Sequence, residues 1–458
     1  MGKPKINFAG DIDINEITLI TRNNENYDLS GVFSELNLYE DIHAGFMCGN
    51  VLVSDGVAIF ENLPIVGEEL IRIRIKTPGF LDNDEIYMTF KVYAVTDKEP
   101  VMTDRIQAYT IHFISQEGYL DSLYGVSKTF RGKASDVVED IFTKYIRIPR
   151  NITEEGIESA NFTELTLLED TSNDITFTSP NWSPLRCINY IASKSLRKDG
   201  EGSNFVFFQS NKGFYYGSIQ ELIDMQTKIP FAFDRYTYSP NNIQVPYPDS
   251  NNQYKKQSLD RGYSIVEAFD TPEDFNLLKS NDRGHLANRL VAFDVINKKV
   301  TTTDFDYIAE WGKFVHVDYN TKTKDGVPTT SDKQLRSSKT SIGVYPVHPF
   351  LFNNTKDNSN ELIAKIKPSR LSLMADIESK KINITVPGRT DIEVGMLVEF
   401  VLPSFKPKDV ELPESEYADK YYSGVYLITA IRHSISPAKH RMRLELSKDS
   451  VTPLRVQK

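Results

Sequence analysis

The chain has 458 residues, with 53 Lys and Arg against 63 Asp and Glu, a formal net charge of −10 and a pI near 5.4. That balance argues against a nucleic-acid grip, because phosphate binding needs clustered Lys and Arg that release counterions. No run of about 18 apolar residues is present to cross a membrane as a helix, and the two cysteines, Cys48 and Cys187, are too few for a secreted disulfide scaffold.

A chain this long is expected to hold two to four domains, and 40% hydrophobic with 25% charged residues is ordinary for a protein with a full core. Both cysteines sit among apolar neighbours and read as buried free thiols. The N-terminal MGKPKINFAG lacks an apolar signal core, so the expectation is a soluble protein made inside the cell.

Residues 12 to about 120 read as a β-rich unit. Ile17 and Leu19 alternate with polar positions, and Leu36 and Leu38 precede an acidic turn at Glu40 and Asp41. The clearest strand is Glu69 to Thr77, where Ile71, Ile73 and Ile75 alternate with Arg72, Arg74 and Lys76. Further strands are expected at Ile86 to Val95 and Gln107 to Ser115. The basic row is read as the wet face of a half-buried strand, with a pore lining or a phosphate contact as the other reading.

From about 121 the period changes. Lys133 to Ile146 places Val137, Val138, Ile141, Phe142 and Tyr145 on one side of a helix started by Ser135 or Asp136. SPNWSPLRCINYIASKSLRKDG predicts a second helix over 184–198, capped by Ser183, with Pro184 first, a stripe of Leu185, Ile188, Ile191 and Ala192, and Lys194, Arg197 and Lys198 at its negative end before Gly200. FVFFQSNKGFYYGS reads as a hairpin turning at Asn211 to Gly213.

Residues 237–260 and 320–342 read as long polar connections. Between them, Leu290 to Val295 and Lys299 to Thr303 are expected to pair as strands. Glu361 to Met374 is helical, broken or kinked at Pro368. The last block, Lys381 to Lys448, has the period of strands. Ile382, Ile384 and Val386 come first, then Val394, Met396, Val398 and Phe400, and His440, Met442, Leu444 and Leu446 alternate with polar residues. Its strands form a small antiparallel barrel or sandwich. Two β units near the two ends are consistent with an old duplication, in which each unit closes separately.

Chemistry is hard to find. The seven histidines, His43, His112, His285, His316, His348, His433 and His440, show no HExxH spacing and no zinc-like cluster with cysteine. No GxSxG elbow, phosphate loop or GxGxxG is present. Carboxylates are numerous enough for a glycosidase-like pair, yet nothing selects one. His433, between Ile431 and Ile435, reads as a packed core histidine. No catalytic, cofactor-binding or metal-ligating residue is singled out, and no cofactor is expected.

Four motifs occur in order: SPNWSPLRCINYIASKSL (179–196), NFVFFQSNKGFYYGSIQEL (204–222), GHLANRLVAFDVINKKVTTTDFDY (284–307) and VPGRTDIEVGMLVEF…GVYLITAIRHSIS…MRLELS (386–447). Together they resemble the baseplate hub proteins of contractile-tailed bacteriophages and the related N-terminal part of type VI secretion spike proteins. The resemblance runs from about residue 179 onward, and the first 120 residues match in β pattern more than in residues. The long loops at 320–342 and 403–423 depart from it.

The resemblance implies an α+β, mainly β fold with two tail-tube-like β barrels and an α/β middle portion. The first barrel would occupy 1–120 and the middle domain 121–260. Residues 261–360 would complete the middle and the second barrel, which would otherwise occupy 361–458 and be partly built from discontinuous segments. It also implies a non-enzymatic virion protein of the tail baseplate, assembled in the host bacterial cytoplasm. As a homotrimer it would present six barrels to a sixfold tail tube or tube-initiator protein and join them to a threefold central spike. Surrounding baseplate proteins would be further partners, DNA would pass only transiently, and no stable membrane association is implied. Two other readings follow from the residues: a β-rich carbohydrate-active or peptidoglycan-cleaving enzyme, and an adhesin-like protein displaying Tyr236, Tyr238, Tyr247 and Tyr254.

Overall fold

The computed structural model describes residues 8–449 except 60–62, 64, 68, 80–83, 102–105, 149–162, 200, 229–232, 239–261, 274–275, 295–297, 318–340, 348–358, 405–417 and 420. Seven strands come first: β1 (Asp13–Ile20), β2 (Asn26–Asp28), β3 (Phe33–Asp41), β4 (Cys48–Asp55), β5 (Leu70–Lys76), β6 (Ile86–Pro100) and β7 (Gln107–Ser115). They pair in the order β3-β4-β7-β6-β5-β1-β2 and curl around one core. In β5, Ile71, Ile73 and Ile75 are fully buried while Arg72, Arg74 and Lys76 face outward, as the alternation requires. The acidic turn expected at Glu40 and Asp41 is instead the end of β3, and the chain turns after it. Cys187 is buried, but Cys48, at the start of β4, is only half-buried.

The middle portion holds α1 (Gln116–Leu123), β8 (Thr129–Lys133), α2 (Ala134–Ile141), β9 (Leu165–Leu167), β10 (Asp174–Thr178), α3 (Pro184–Ala192), β11 (Phe205–Gln209), β12 (Phe214–Ser218) and α4 (Ile219–Thr227). Val137, Val138, Ile141 and Phe142 are buried as the stripe predicts. The start of α2 differs from the reading: Ser135 and Asp136 lie inside the helix, and the Ser135 N–H is capped by the Thr171 hydroxyl at 3.0 Å. β11 and β12 form the expected hairpin, with β9 added in parallel on β12.

Helix α3 starts as predicted, with the Ser183 hydroxyl accepting from the Arg186 N–H and Pro184 in the first turn. It ends earlier, at Ala192. The Asn173 side chain takes the next turn out of the helix, donating to the Lys194 carbonyl and accepting from the Leu196 N–H, both at 2.9 Å. Lys194 and Arg197 are therefore buried beyond the helix rather than exposed at its negative end. Gly200 lies outside the described residues.

The remaining elements are β13 (Asp234–Tyr238), β14 (Ile265–Val266), β15 (Ala268–Glu273), α5 (Leu277–Arg283), β16 (Ala287–Asp294), β17 (Lys299–Asp306), α6 (Tyr307–Glu310), β18 (Ser341–Val347), α7 (Ser359–Ile377), β19 (Lys381–Pro387), β20 (Leu397–Val401), β21 (Gly424–Ile435) and β22 (His440–Ser447). β16 and β17 pair along their whole length. Helix α7 runs through Pro368 unbroken, and its Arg370 donates to the carbonyls of Ala192, Ser203 and Phe205. It thereby fastens the helix to the middle portion.

The last block closes on itself. β19 pairs β22, β22 pairs β21, β21 pairs β20, and β20 pairs β13. The ring is completed by neighbouring segments, because β14 pairs β13 while β15 pairs β19. Distant chain thus supplies three strands of this barrel, around a core containing Tyr236, Ile382, Phe400, Tyr426 and Leu444. A barrel leaves no free sheet edge, which is the physical gain from closure. Val394 does not begin β20 as expected; it sits in the turn with Gly395, and the strand starts at Leu397.

The two β units are not separate sheets. β21 pairs with β20 through Gly424–Leu427 and with β3 through Ala430–Ile435, so one hydrogen-bonded ladder runs through both. This continuity counts against a duplication in which each unit closes separately. What stays separate is the packing: each unit surrounds its own core.

Candidate functional site

The basic row of β5 is the charged pattern that the sequence offers as a pore lining or a phosphate contact. In the fold it is balanced: Arg72 approaches Glu16 at 3.5 Å and Arg74 donates to Glu85 at 2.7 Å. Such exposed pairs contribute at most about 1 kcal/mol, so the row is a solvated face and not a concentrated phosphate site. Of the tyrosines weighed for adhesion, Tyr236 is buried in the barrel core and Tyr238 is half-buried. Tyr247 and Tyr254 lie outside the described residues.

Charged and polar side chains do gather in the interior. At the seam between the units, His433 is fully buried, as expected, with Nδ1 at 3.1 Å from His440 Nε2 and Nε2 at 3.6 Å from Glu40 Oε1. Burial and the neighbouring His433 hold the His440 pKa well below its ordinary value. Glu393, close to Glu40, accepts from Ser210 at 2.6 Å and from Tyr215, and burial pushes its carboxyl upward.

In the middle portion, Arg197 donates to Glu169 at 3.0 Å and to Glu221 at 2.5 Å. Lys194, nearly without solvent, hydrogen-bonds the Tyr345 hydroxyl, and burial with nearby Lys367 brings its ammonium down to about 7. These groups tie elements together. Glu40 and Glu393 lie near each other, but Glu40 is 1% exposed. One cleft among the described residues, lined by Asn276, Lys279, Arg283 and Glu378, holds about 20 Å³, room for a water and not a sugar ring.

A fourth cluster lies in a small aromatic core under α7. Asp376 accepts from His285 Nε2 at 3.0 Å and from the Tyr307 hydroxyl at 2.6 Å. His316 lies against Asp449 at 2.9 Å, and its ring stacks on Trp311 with centroids 3.5 Å apart. Burial raises the Asp376 carboxyl; burial alone would lower the His316 ring, but Asp449, the Trp311 carbonyl and Asp376 together raise it. Sequence reading could not assemble this group, because its members come from four separated segments with no local spacing.

The surface offers one further feature. β17, β16 and β18 form a three-stranded sheet whose inner face, with Leu290 and Ala292, packs toward the middle core. Its outer face leaves Val300 at 66%, Ile342 at 61% and Val344 at 65% exposed. In register, Val344 lies beside Val291, and Phe293 beside Val300. A row of apolar residues on an outer sheet face, with β18 at its edge, has the character of a contact surface.

No family model matches the sequence, and no curated protein matches it. Solved structures do resemble the fold. A tail protein from Neisseria meningitidis MC58 superposes with a TM-score of 0.50 at 10% identity, over 95% of this chain and 96% of its own. The 43 kDa tail protein of prophage MuSo2 from Shewanella oneidensis gives 0.50 at 8% identity, over 95% and 98%. At such identity the likeness is one of fold: this mainly β chain, with its curled sheet and α/β middle, has the overall architecture of those two phage tail proteins.

Proposed function

We propose that the chain is a structural protein of a phage tail baseplate: a homotrimeric hub in the virion that joins a sixfold tail tube to a threefold central spike and lines part of the DNA channel. The observation that carries this reading is the near end-to-end likeness of fold to two phage tail proteins of matching length. The curled first sheet and the closed second barrel supply two β units per chain, so that three chains present six. On this reading the units follow the division 1–120, 121–260, 261–360 and 361–458. The partners are a central spike, a tail tube or tube-initiator protein and surrounding baseplate proteins, and the protein is assembled in the host cytoplasm. The role is non-enzymatic, with buried carboxylates engaged in holding elements together.

The exposed Val300, Ile342 and Val344 face supports a role in assembly. Electron microscopy of the purified protein, with light scattering for mass, should show threefold rings. Val344→Asp should leave the monomer folded but shift the mass toward one chain, since a charge buried in an interface is costly. A wild-type protein that stays monomeric, alone and with its spike, would refute the hub reading.

A further inference from the structure

Three side chains remote in sequence meet beneath the aromatic turn that follows α6. His316 lies just beyond the Trp311–Lys313 turn, Asp376 is in the last turn of α7, and Asp449 follows β22. One ring nitrogen and two carboxylate oxygens all lie within 4.8 Å of one another. The side chains of His316, Asp376 and Asp449 are only 6%, 8% and 7% exposed.

The far side of the His316 ring fixes what its near side presents. Nε2 stands 2.9 Å from the Trp311 carbonyl, which can only accept, so Nε2 carries a hydrogen. Nδ1 is then the nitrogen that faces Asp449 Oδ2 at 2.9 Å. In the neutral ring this sets a lone pair beside a carboxylate oxygen, two donor atoms that a proton or a metal ion can bridge.

Each carboxylate is already oriented from behind. Asp376 accepts on both oxygens, from His285 and Tyr307, and Asp449 Oδ1 accepts from the Val317 N–H at 3.2 Å. Carboxylate oxygens carry further lone pairs, and these with the His316 nitrogen are close enough together for a single ion to reach all three.

We infer that His316 Nδ1, Asp376 and Asp449 bind a single divalent transition-metal ion. One imidazole with two carboxylates suits zinc or manganese. His285 and Tyr307 stand behind Asp376 as the outer partners that orient a ligating carboxylate, and the Trp311 carbonyl does the same for His316. The ion would clasp α7, the end of β22 and the segment after α6, tying the second barrel to the helix that runs along the middle portion. Its role is structural, because its ligands come from elements that it would hold together.

The full chain, stripped with chelator, is titrated with Zn2+ and separately with Mn2+ by calorimetry and by fluorescence in a Trp182→Phe background, where Trp311 on the His316 ring reports. One equivalent per chain should bind and raise the melting temperature. His316→Gln and Asp449→Asn should each weaken binding by at least about tenfold. X-ray absorption on the cobalt-loaded wild type should show one imidazole among oxygen donors, a readout that does not require either variant to fold. No binding of either ion means that protons alone balance the cluster and overturns the proposal. So does an unchanged equivalent in both folded variants, or a spectrum lacking imidazole.

Discussion

Ile188→Ala tests whether the best-punctuated helix of the sequence is a packing element. Ile188 is fully buried on α3, in the same core as Val138, Ile141, Phe205 and Tyr216. The substitution removes three carbons at about 0.8 kcal/mol each, ~2.4 kcal/mol of transfer free energy. The cavity left behind adds to this because a core joined by stacked aromatic rings, such as Phe207 on Phe214, cannot collapse fully. A total of about 3–4 kcal/mol, inside the usual range of ~2–5 for such truncations, is expected. The assay is urea unfolding followed by Trp182, which packs against Phe177 and Tyr190 beside this core, in a Trp311→Phe background. Arg186→Ala, on the exposed face of the same helix and over the Trp182 ring, should cost no more than about 1 kcal/mol. Equal midpoints for Ile188→Ala and its parent would show that the stripe is not core.

Two further outcomes are expected. His440 is buried with a lowered pKa, faced by His433, with Glu40 beyond that ring. The unfolded chain therefore takes up a proton below about pH 6.5 that the folded chain resists. The stability it permits is complete above that pH and falls on acidification by up to about 1.4 kcal/mol per unit. His440→Leu should flatten this acid limb, and parallel limbs for the two proteins would refute the assignment. The protein should also bind duplex DNA no tighter than about 1 μM at physiological salt, given its net charge of −10 and the paired Arg72 and Arg74. Tight, steeply salt-dependent binding would sink the picture of a channel that lets DNA pass.

Elements governed by their own residues were legible in the sequence. β5, β7 and the β11–β12 hairpin announce themselves by alternation and turn residues, and the start of α3 by Ser183 and Pro184. β4 was not read, because Gly49 and Asn50 interrupt its apolar pattern, although both lie in the ladder to β7. The end of α3 was misread for a related reason. SKSLRK has helix-forming composition, but Asn173, far upstream, captures the backbone there. Barrel closure by β13, β14 and β15 is decided by long-range pairing, which no local period encodes. The cluster of His316, Asp376 and Asp449 was invisible for the same reason, whereas His433 could be read because its neighbours Ile431 and Ile435 share its face.

That face matters most in β21, where the two units are physically one. Ile431 packs in the second core and Ile435 in the first, four residues apart on the same side of a single strand. β20 and β3 lie along the same edge of β21, one after the other, and the register against β22 shifts between Ile428 and Ala430. Without that bulge the side-chain parity set by β20 would continue into the β3 segment. Arg432 would then point inward, losing its hydrogen bond to Asn37 at 3.0 Å and its pairing with Glu35, and His433 would leave the seam. A one-residue slip therefore costs both cores at once. β21 is thus a single strand that both cores require in the same register.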